Sequence, residues 1–172
     1  MNKIYVEFIK EIKSEFPKFE VIEKQKSLLM KIIYYCTGMC FWNPRFMTAY
    51  VTVMFGRVYM PYYLIDTLTG YEILRHERVH LRDAARWPLL FEASYLFFPL
   101  PFIFTMRAYW EYRAYCESLL VEAEIYGFVN SKSIEFYIEQ FTGSYYLWMF
   151  PFPKIVRRAF YRFLKQKDID VM

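Results

Sequence analysis

The chain has 172 residues, of which 23% are aromatic and 23% charged, and its formal net charge is +4. This length is enough to bury a core in one compact domain, and the weak, scattered positive charge does not indicate a nucleic-acid-binding protein. The three cysteines, an odd number, exclude a disulfide framework, and because the charged N-terminus lacks the apolar run of a signal peptide we expect a cytoplasmic protein.

Two helices are predicted at the start of the chain. Residues 3–14 place apolar side chains at helical spacing, and Pro17 ends this segment. A second helix is expected from about Glu23 to Tyr35. The buried side of the second helix is predicted to carry Leu28, Leu29, Ile32 and Ile33.

The next segment is rich in β-branched and aromatic residues, which are typical of strands. Thr48–Met54 and Arg57–Met60 are predicted to be two antiparallel strands joined at Gly56. Alternate residues of a strand point to the same face, so Tyr50, Thr52 and Met54 share one face of the first strand.

The only two histidines of the chain lie four residues apart, in the run Leu74-Arg75-His76-Glu77-Arg78-Val79-His80-Leu81. A helix is predicted over residues 70–85, and residues four apart on a helix share a face, so the two imidazoles can converge on one ion. Zinc is the metal that best matches two imidazoles and a carboxylate. Glu77 is placed to act as a general base beside them. The competing interpretation is a polar helix face with two solvated histidines, and the apolar flanking residues argue against it.

Two histidines do not complete a zinc site, and the absence of a third excludes the metzincin pattern. The third ligand is therefore expected to be a carboxylate or a thiolate. Glu111 is the strongest candidate, on a helix predicted from about Thr105 to Gly127, where Ala114 leaves room for the histidine helix. The alternatives that stay open are Glu122, Glu117, Glu92 and Cys116.

The segment from Trp87 to Met106 contains one charged residue, Glu92. We interpret it as a core helix of about residues 88–98 rather than a membrane span, because Pro99 and Pro101 would break a spanning helix. Glu92 should then pair with Arg86 or Arg107. The large side chains expected to be buried are Leu89, Leu90, Tyr95, Leu96, Phe97 and Phe102.

The C-terminal run from Lys154 to Lys165 is basic and amphipathic, and it predicts a helix over about residues 152–167. Such a helix suits a membrane surface, a phosphate backbone or a partner protein. An ordinary terminal helix with a solvated face is the preferred interpretation. A specific nucleic acid is therefore not expected as a partner, and a membrane surface stays open as a partner but is not favoured.

The order of these elements resembles that of the zincin metallopeptidases, in which a small sheet packs beside the active-site helix and its edge strand holds an extended substrate. If the Thr48–Met60 hairpin is that edge, the resemblance implies that the substrate-binding residues are Tyr50, Thr52 and Met54. More closely, the chain resembles short H-E-x-x-H proteins of bacteria and tailed phages. The resemblance spans about residues 42–118. The segments that carry it are Asn43–Thr48, Gly56–Pro61, Leu74–His80, Pro99–Pro101 and Arg107–Tyr115.

The resemblance implies a single zincin-like domain over residues 1–172, of the α+β class and mostly α, with a small β-hairpin packed beside the H-E-x-x-H helix. It places the third zinc ligand at the Glu-x-x-Ala-Tyr position, which is Glu111 here. The implied activity is that of a zinc-dependent metallopeptidase, which hydrolyses a peptide or protein substrate with a zinc-activated water and Glu77 as general base. Tyr115 is the candidate donor to the oxyanion. Tyr109, Tyr59 and Arg107 stay open for that role.

The alternative function belongs to a different class. A structural or assembly protein, for example a component of a phage particle, can retain this scaffold and its zinc without turning over a substrate. Its partners would be other proteins of the assembly, and its location would be the virion. Glu77 favours the enzyme, because a purely structural zinc needs no base.

Overall fold

A computed structural model of the chain describes residues 2–38, 45–96, 101–144 and 148–172, without the side chains of 36–38, 96 and 101–105. The described part is mostly helical with one small sheet, which confirms the predicted α+β, mostly α class. The helices are α1 (Lys3–Glu15), α2 (Leu28–Gly38), α3 (Phe46–Ala49), α4 (Leu68–Arg86), α5 (Leu90–Leu96), α6 (Pro101–Tyr126), α7 (Ser131–Thr142) and α8 (Pro153–Gln166). The strands are β1 (Val21–Glu23), β2 (Thr52–Met54) and β3 (Arg57–Met60).

The chain divides into two compact units, Met1–Leu81 and Arg82–Met172, and the division falls inside α4. The expectation of one domain over residues 1–172 stays a prediction. Within the described ranges, no helix combines the length and the apolar character needed to cross a lipid bilayer.

The sheet of the first unit has the strand order β1-β3-β2, with β3 in the centre. β1 runs parallel to β3, and β2 runs antiparallel to it. Phe55 and Gly56 both have positive φ, 52° and 75°, which gives the tight turn whose twist suits a two-residue hairpin. The predicted hairpin is therefore confirmed. Its first strand is shorter than predicted, because Phe46–Ala49 form the short helix α3.

The prediction for the second helix was wrong in its start and partly wrong in its buried side, where Leu29 and Ile33 are half-buried. Residues 21–26 form β1 and a 3₁₀ turn, and α2 begins only at Leu28. Leu28 and Ile32 are 71% and 50% exposed, whereas Met30 is fully buried. The strand β1 is three residues long and pairs with a strand distant in sequence, so no local pattern predicts it.

The first unit has its own apolar core, to which α1, the sheet and α4 contribute. Its buried members are Tyr5, Phe8, Ile12, Phe19, Val58, Met60, Leu64, Leu74 and Leu81. Polar contacts add to the packing of α1 on α4, since Arg78 forms ion pairs with Glu11 and Glu15, each at 2.8 Å. These contacts fix the part of α4 that carries the histidines.

The second unit is helical, and its core lies among α6, α7 and α8. Its buried members include Leu119, Ile134, Ile138, Phe141, Val156, Phe160 and Leu164. Helix α6 extends further toward the N-terminus than the predicted Thr105, and α8 matches the predicted terminal helix within one residue. Helix α7 was not anticipated.

The predicted burial of the segment after α4 was partly wrong. Leu89 and Leu90 are 83% and 39% exposed, and Phe91 and Ser94 are buried in their place. Oε2 of Glu92 is buried and has no hydrogen-bond partner among the described residues. The side chains of Leu96, Phe97 and Phe102 lie outside the described part, so the prediction for them is not tested.

Candidate metal centre

The N-terminus of the histidine helix α4 is capped by a threonine side chain. Thr67 Oγ1 accepts a hydrogen bond of 2.9 Å from the backbone N–H of Gly70, which satisfies one of the unpaired donors of the first turn. A Cβ atom on Gly70 would lie 2.0 Å from the carbonyl oxygen of Leu64, so only glycine fits there. Trp87 and Pro88 follow the last helical residue. The prediction of a helix over residues 70–85 is confirmed, with two further residues at its start and one at its end.

The side chains of the H-E-x-x-H motif do not lie on a solvated face. His80 and Glu77 are 5% and 8% exposed, and His76 is half-buried. Leu74 and Leu81 on the same helix belong to the core of the first unit. The motif thus lies along the border of a packed face, which argues against the interpretation of two solvated histidines.

The two imidazoles converge. Nε2 of His76 and Nε2 of His80 are 3.2 Å apart, and the ring planes are inclined at 76°. Two nitrogens that each lie about 2.0–2.1 Å from a tetrahedral zinc ion are roughly 3.3 Å from each other, so the pair matches that spacing. The same spacing suits an N–H···N hydrogen bond between two neutral imidazoles. Zinc binding would displace the shared proton.

Glu111 of α6, the predicted third ligand, lies in the second unit. Its side chain is 4% exposed, and Oε1 accepts a hydrogen bond of 3.0 Å from the hydroxyl of Tyr95 on α5.

The other candidates for the third ligand have different surroundings. Oε1 of Glu122 accepts hydrogen bonds of 2.9 Å from the backbone N–H of Asn130 and from the hydroxyl of Ser133, so it joins α6 to the start of α7. Burial raises the pKa of the Cys116 thiol to about 12, which disfavours the thiolate that binds metal. Glu117 and Glu92 stay open as alternatives.

An ion pair within the second unit lies close in sequence to the site residues. Asp83, which is three residues after His80 on α4, forms an ion pair with Arg113, which is two residues after Glu111 on α6. Asp83 is 1% exposed, so this carboxylate depends on Arg113 to offset its burial. The pair holds the last turn of α4 against α6.

Lys24 is a site neighbour that sequence reasoning missed. It is fully buried, and its ammonium donates hydrogen bonds of 2.8 Å to the backbone carbonyl of Tyr50 and to Oγ1 of Thr52. It also lies 3.7 Å from the centre of the Phe46 ring and interacts electrostatically with Glu77. Lys24 therefore links the edge strand β2 with the predicted base. A lysine within the charged run from Glu23 to Lys26 gives no sign of this burial.

The predicted substrate-binding residues do share one side of the chain. Val51 and Val53 pack on the core of the first unit, so the alternate side chains of Tyr50, Thr52 and Met54 turn the other way. β2 lies at the edge of the sheet, but the Thr52 hydroxyl is hydrogen-bonded to Lys24. Their role in binding a substrate stays a prediction.

Tyr115, the candidate oxyanion donor, lies one turn after Glu111 on α6 and is buried. Its ring packs against the rings of Tyr137 and Phe141, with ring centres 4.7 and 5.7 Å away. The catalytic role of Tyr115 stays a prediction. Tyr95, whose hydroxyl contacts Glu111, was not singled out for the site, because nothing local distinguishes it among 17 tyrosines.

Burial lowers the pKa of Lys24 from 10.5 to about 7, although the Glu77 carboxylate opposes this shift. Between these two pH values the unfolded chain holds a proton that the folded chain has released, so the free energy of unfolding should rise with pH. A Lys24→Met variant lacks this contribution. We expect the stability of the wild type relative to this variant to increase between about pH 7 and 9.5, measured by chemical denaturation. Parallel pH profiles for the two proteins would contradict this prediction.

Comparisons of the chain with models of protein families, with curated proteins and with solved structures find no match.

Proposed function

We propose that the protein is a zinc-dependent hydrolase that cleaves peptide bonds. The observation that carries this proposal is the convergence of the His76 and His80 nitrogens, 3.2 Å apart, on the helix that also carries the buried Glu77. A catalytic zinc site of the protease type combines two histidines and one carboxylate and leaves one position open. His76, His80 and Glu111 are the residues that would hold the ion.

The donor set fits zinc by its chemistry. Two imidazoles and a carboxylate are ligands that zinc prefers. Tyr95 supports the set, because its hydroxyl donates to Oε1 of Glu111 and so restricts the orientation of the carboxylate.

The catalytic roles follow from the positions of these side chains. When bound, zinc supplies the Lewis acidity that lowers the pKa of a coordinated water toward neutrality. Glu77 accepts a proton from the attacking water on a carboxylate oxygen and delivers it to the leaving amine. Lys24 interacts electrostatically with Glu77 and holds the Tyr50 carbonyl. A substrate peptide would add to the edge of β2 as a further strand. Lys24 contacts Thr52 of this strand and Tyr50 just before it.

The proposed third ligand, Glu111, can be tested by comparing its replacement with that of Glu122, a second carboxylate of α6. The loss of a residue that only supports a metal ligand typically lowers metal affinity by roughly 10–100-fold. We expect Glu111→Gln to lower the affinity for zinc by more than this, because the variant loses a ligand itself. Glu122→Gln is the matched control, and it should retain the wild-type affinity because the Glu122 carboxylate bonds to Asn130 and Ser133. Competition with a chromophoric chelator measures both values. Equal affinities for the two variants would refute the assignment of Glu111.

The activity itself is tested by loading the purified chain with zinc and following the cleavage of a denatured protein substrate by mass spectrometry. Zinc-dependent cleavage that a chelator abolishes and added zinc restores supports the hydrolase. Stoichiometric zinc without cleavage of denatured proteins or peptide libraries would favour the alternative, a structural or assembly protein with a retained site.

A further inference from the structure

The outward face of α8 carries a concentration of positive charge. The helix contains five basic residues and no acidic one. Its apolar face, formed by Val156, Phe160 and Leu164, is buried in the core of the second unit, so the opposite face is directed outward. The basic residues, all exposed, are Lys154, Arg157, Arg158, Arg162 and Lys165.

The protein itself neutralises little of this charge. Arg157 pairs with Glu135 of α7. Across the part of the chain that the structure describes, Lys154, Arg158, Arg162 and Lys165 form no ion pair with an acidic side chain. Asp168 and Asp170 follow the end of the helix, so their negative charge lies nearer to Lys165 than to the start of α8. The excess positive charge is therefore greatest in the first half of the helix.

Exposed apolar side chains lie in the same region. Phe152 and Ile155, at the start of α8, are 53% and 55% exposed. Ile155, Arg158 and Arg162 follow one another at intervals of three and four residues, so they form one row along the helix. Trp148, shortly before the helix, is 56% exposed and has a positive φ of 52°, an uncommon conformation for a bulky residue. We call Phe152, Lys154, Ile155, Arg158, Arg162 and Lys165 the α8 surface.

We propose that the α8 surface binds the face of an anionic phospholipid bilayer. Lys and Arg side chains are attracted to anionic headgroups, while large apolar side chains beside them enter the boundary between headgroups and acyl chains. A nucleic acid would also attract the basic residues. It offers no comparable environment for Phe152 and Ile155, which is why the bilayer is the favoured partner. The attachment would be peripheral, and it is independent of the proposed zinc site.

The test measures co-sedimentation of the full chain with vesicles of phosphatidylcholine alone and of phosphatidylcholine with 30% phosphatidylserine. We expect binding to the anionic vesicles only, with an affinity that falls as salt is raised. Arg158→Glu combined with Arg162→Glu should lower that affinity at least tenfold. Phe152→Ser combined with Ile155→Ser should lower it as well, because the apolar contribution is lost.

The matched control for the charge reversal is Lys10→Glu combined with Lys13→Glu on α1, which changes the net charge equally at exposed positions. This control should bind anionic vesicles nearly as well as the wild type, and thermal melting checks that every variant is folded. Equal losses in the two charge-reversed proteins would overturn the proposal, because they would indicate an effect of net charge alone. Binding to duplex DNA or RNA without binding to vesicles would also overturn it, in favour of a nucleic-acid surface.

Discussion

Replacing His76 and His80 together with alanine is expected to abolish stoichiometric zinc binding. The wild type should retain about one zinc per chain after dialysis against metal-free buffer, since we propose that His76, His80 and Glu111 bind the ion together. The double variant keeps only the carboxylate of Glu111 from the proposed set, and a single protein ligand holds zinc poorly. Each single variant should lose most of the affinity, because two ligands remain. Elemental analysis of the dialysed proteins gives the metal content directly.

The double variant contains no histidine, so retained zinc could not be assigned to imidazole elsewhere in the chain. Because His80 is 5% exposed, its truncation leaves a cavity, and the fold of the variant must be checked by circular dichroism and thermal melting. Asparagine at both positions offers a second variant that fills more of the space. Stoichiometric zinc in either folded variant would rule out the histidine pair as the metal site.

The elements that sequence analysis predicted well are those with strong local determinants. α4 contains a glycine in its first turn and is followed by Trp87 and Pro88, so its extent could be predicted to within two residues. The outline of α8 follows from its regular alternation of basic and apolar residues. The pairing of His76 with His80 follows from helical spacing, because four residues bring two side chains onto one face.

The elements that were predicted wrongly depend on contacts distant in sequence. β1 is a three-residue strand, and its pairing with β3 rather than its own composition makes it a strand. Residues near Phe46 have the composition of a strand, but the ring of Phe46 packs over Lys24 and stacks against Tyr34 at 6.4 Å, and the backbone there is helical. Tertiary packing overrides local β-propensity in such a case.

The same reasoning explains why part of the candidate site escaped prediction. His76, Glu77 and His80 form a motif that is visible in five consecutive positions of the sequence. In contrast, Lys24 contacts Thr52 only in the folded chain, and the same holds for the contact of Tyr95 with Glu111. A buried lysine is rare, and here two oxygen acceptors and an aromatic ring offset part of the cost of burying its charge, although burial still lowers its pKa to about 7. Sequence alone shows a lysine in a charged run.

Glu77→Gln is the substitution that separates catalysis from metal binding. The amide has nearly the same size as the carboxylate but does not accept a proton at neutral pH, so we expect hydrolysis to fall by about 10²–10⁴-fold. Zinc content should stay at the wild-type level, because the proposed ligands are His76, His80 and Glu111. The measurement compares kcat/KM for one peptide substrate with the zinc content of the same preparations.

The matched control is Glu72→Gln, which removes a carboxylate from the same helix one turn before His76 and lies outside the motif. Its kcat/KM should stay close to the wild-type value, so a loss confined to Glu77→Gln would identify the base rather than a general effect of charge. Equal activity of the Glu77→Gln variant and the wild type, at equal zinc content, would remove Glu77 from the mechanism. Loss of zinc together with activity would instead assign Glu77 to holding the metal site, and the role of base would then need another group.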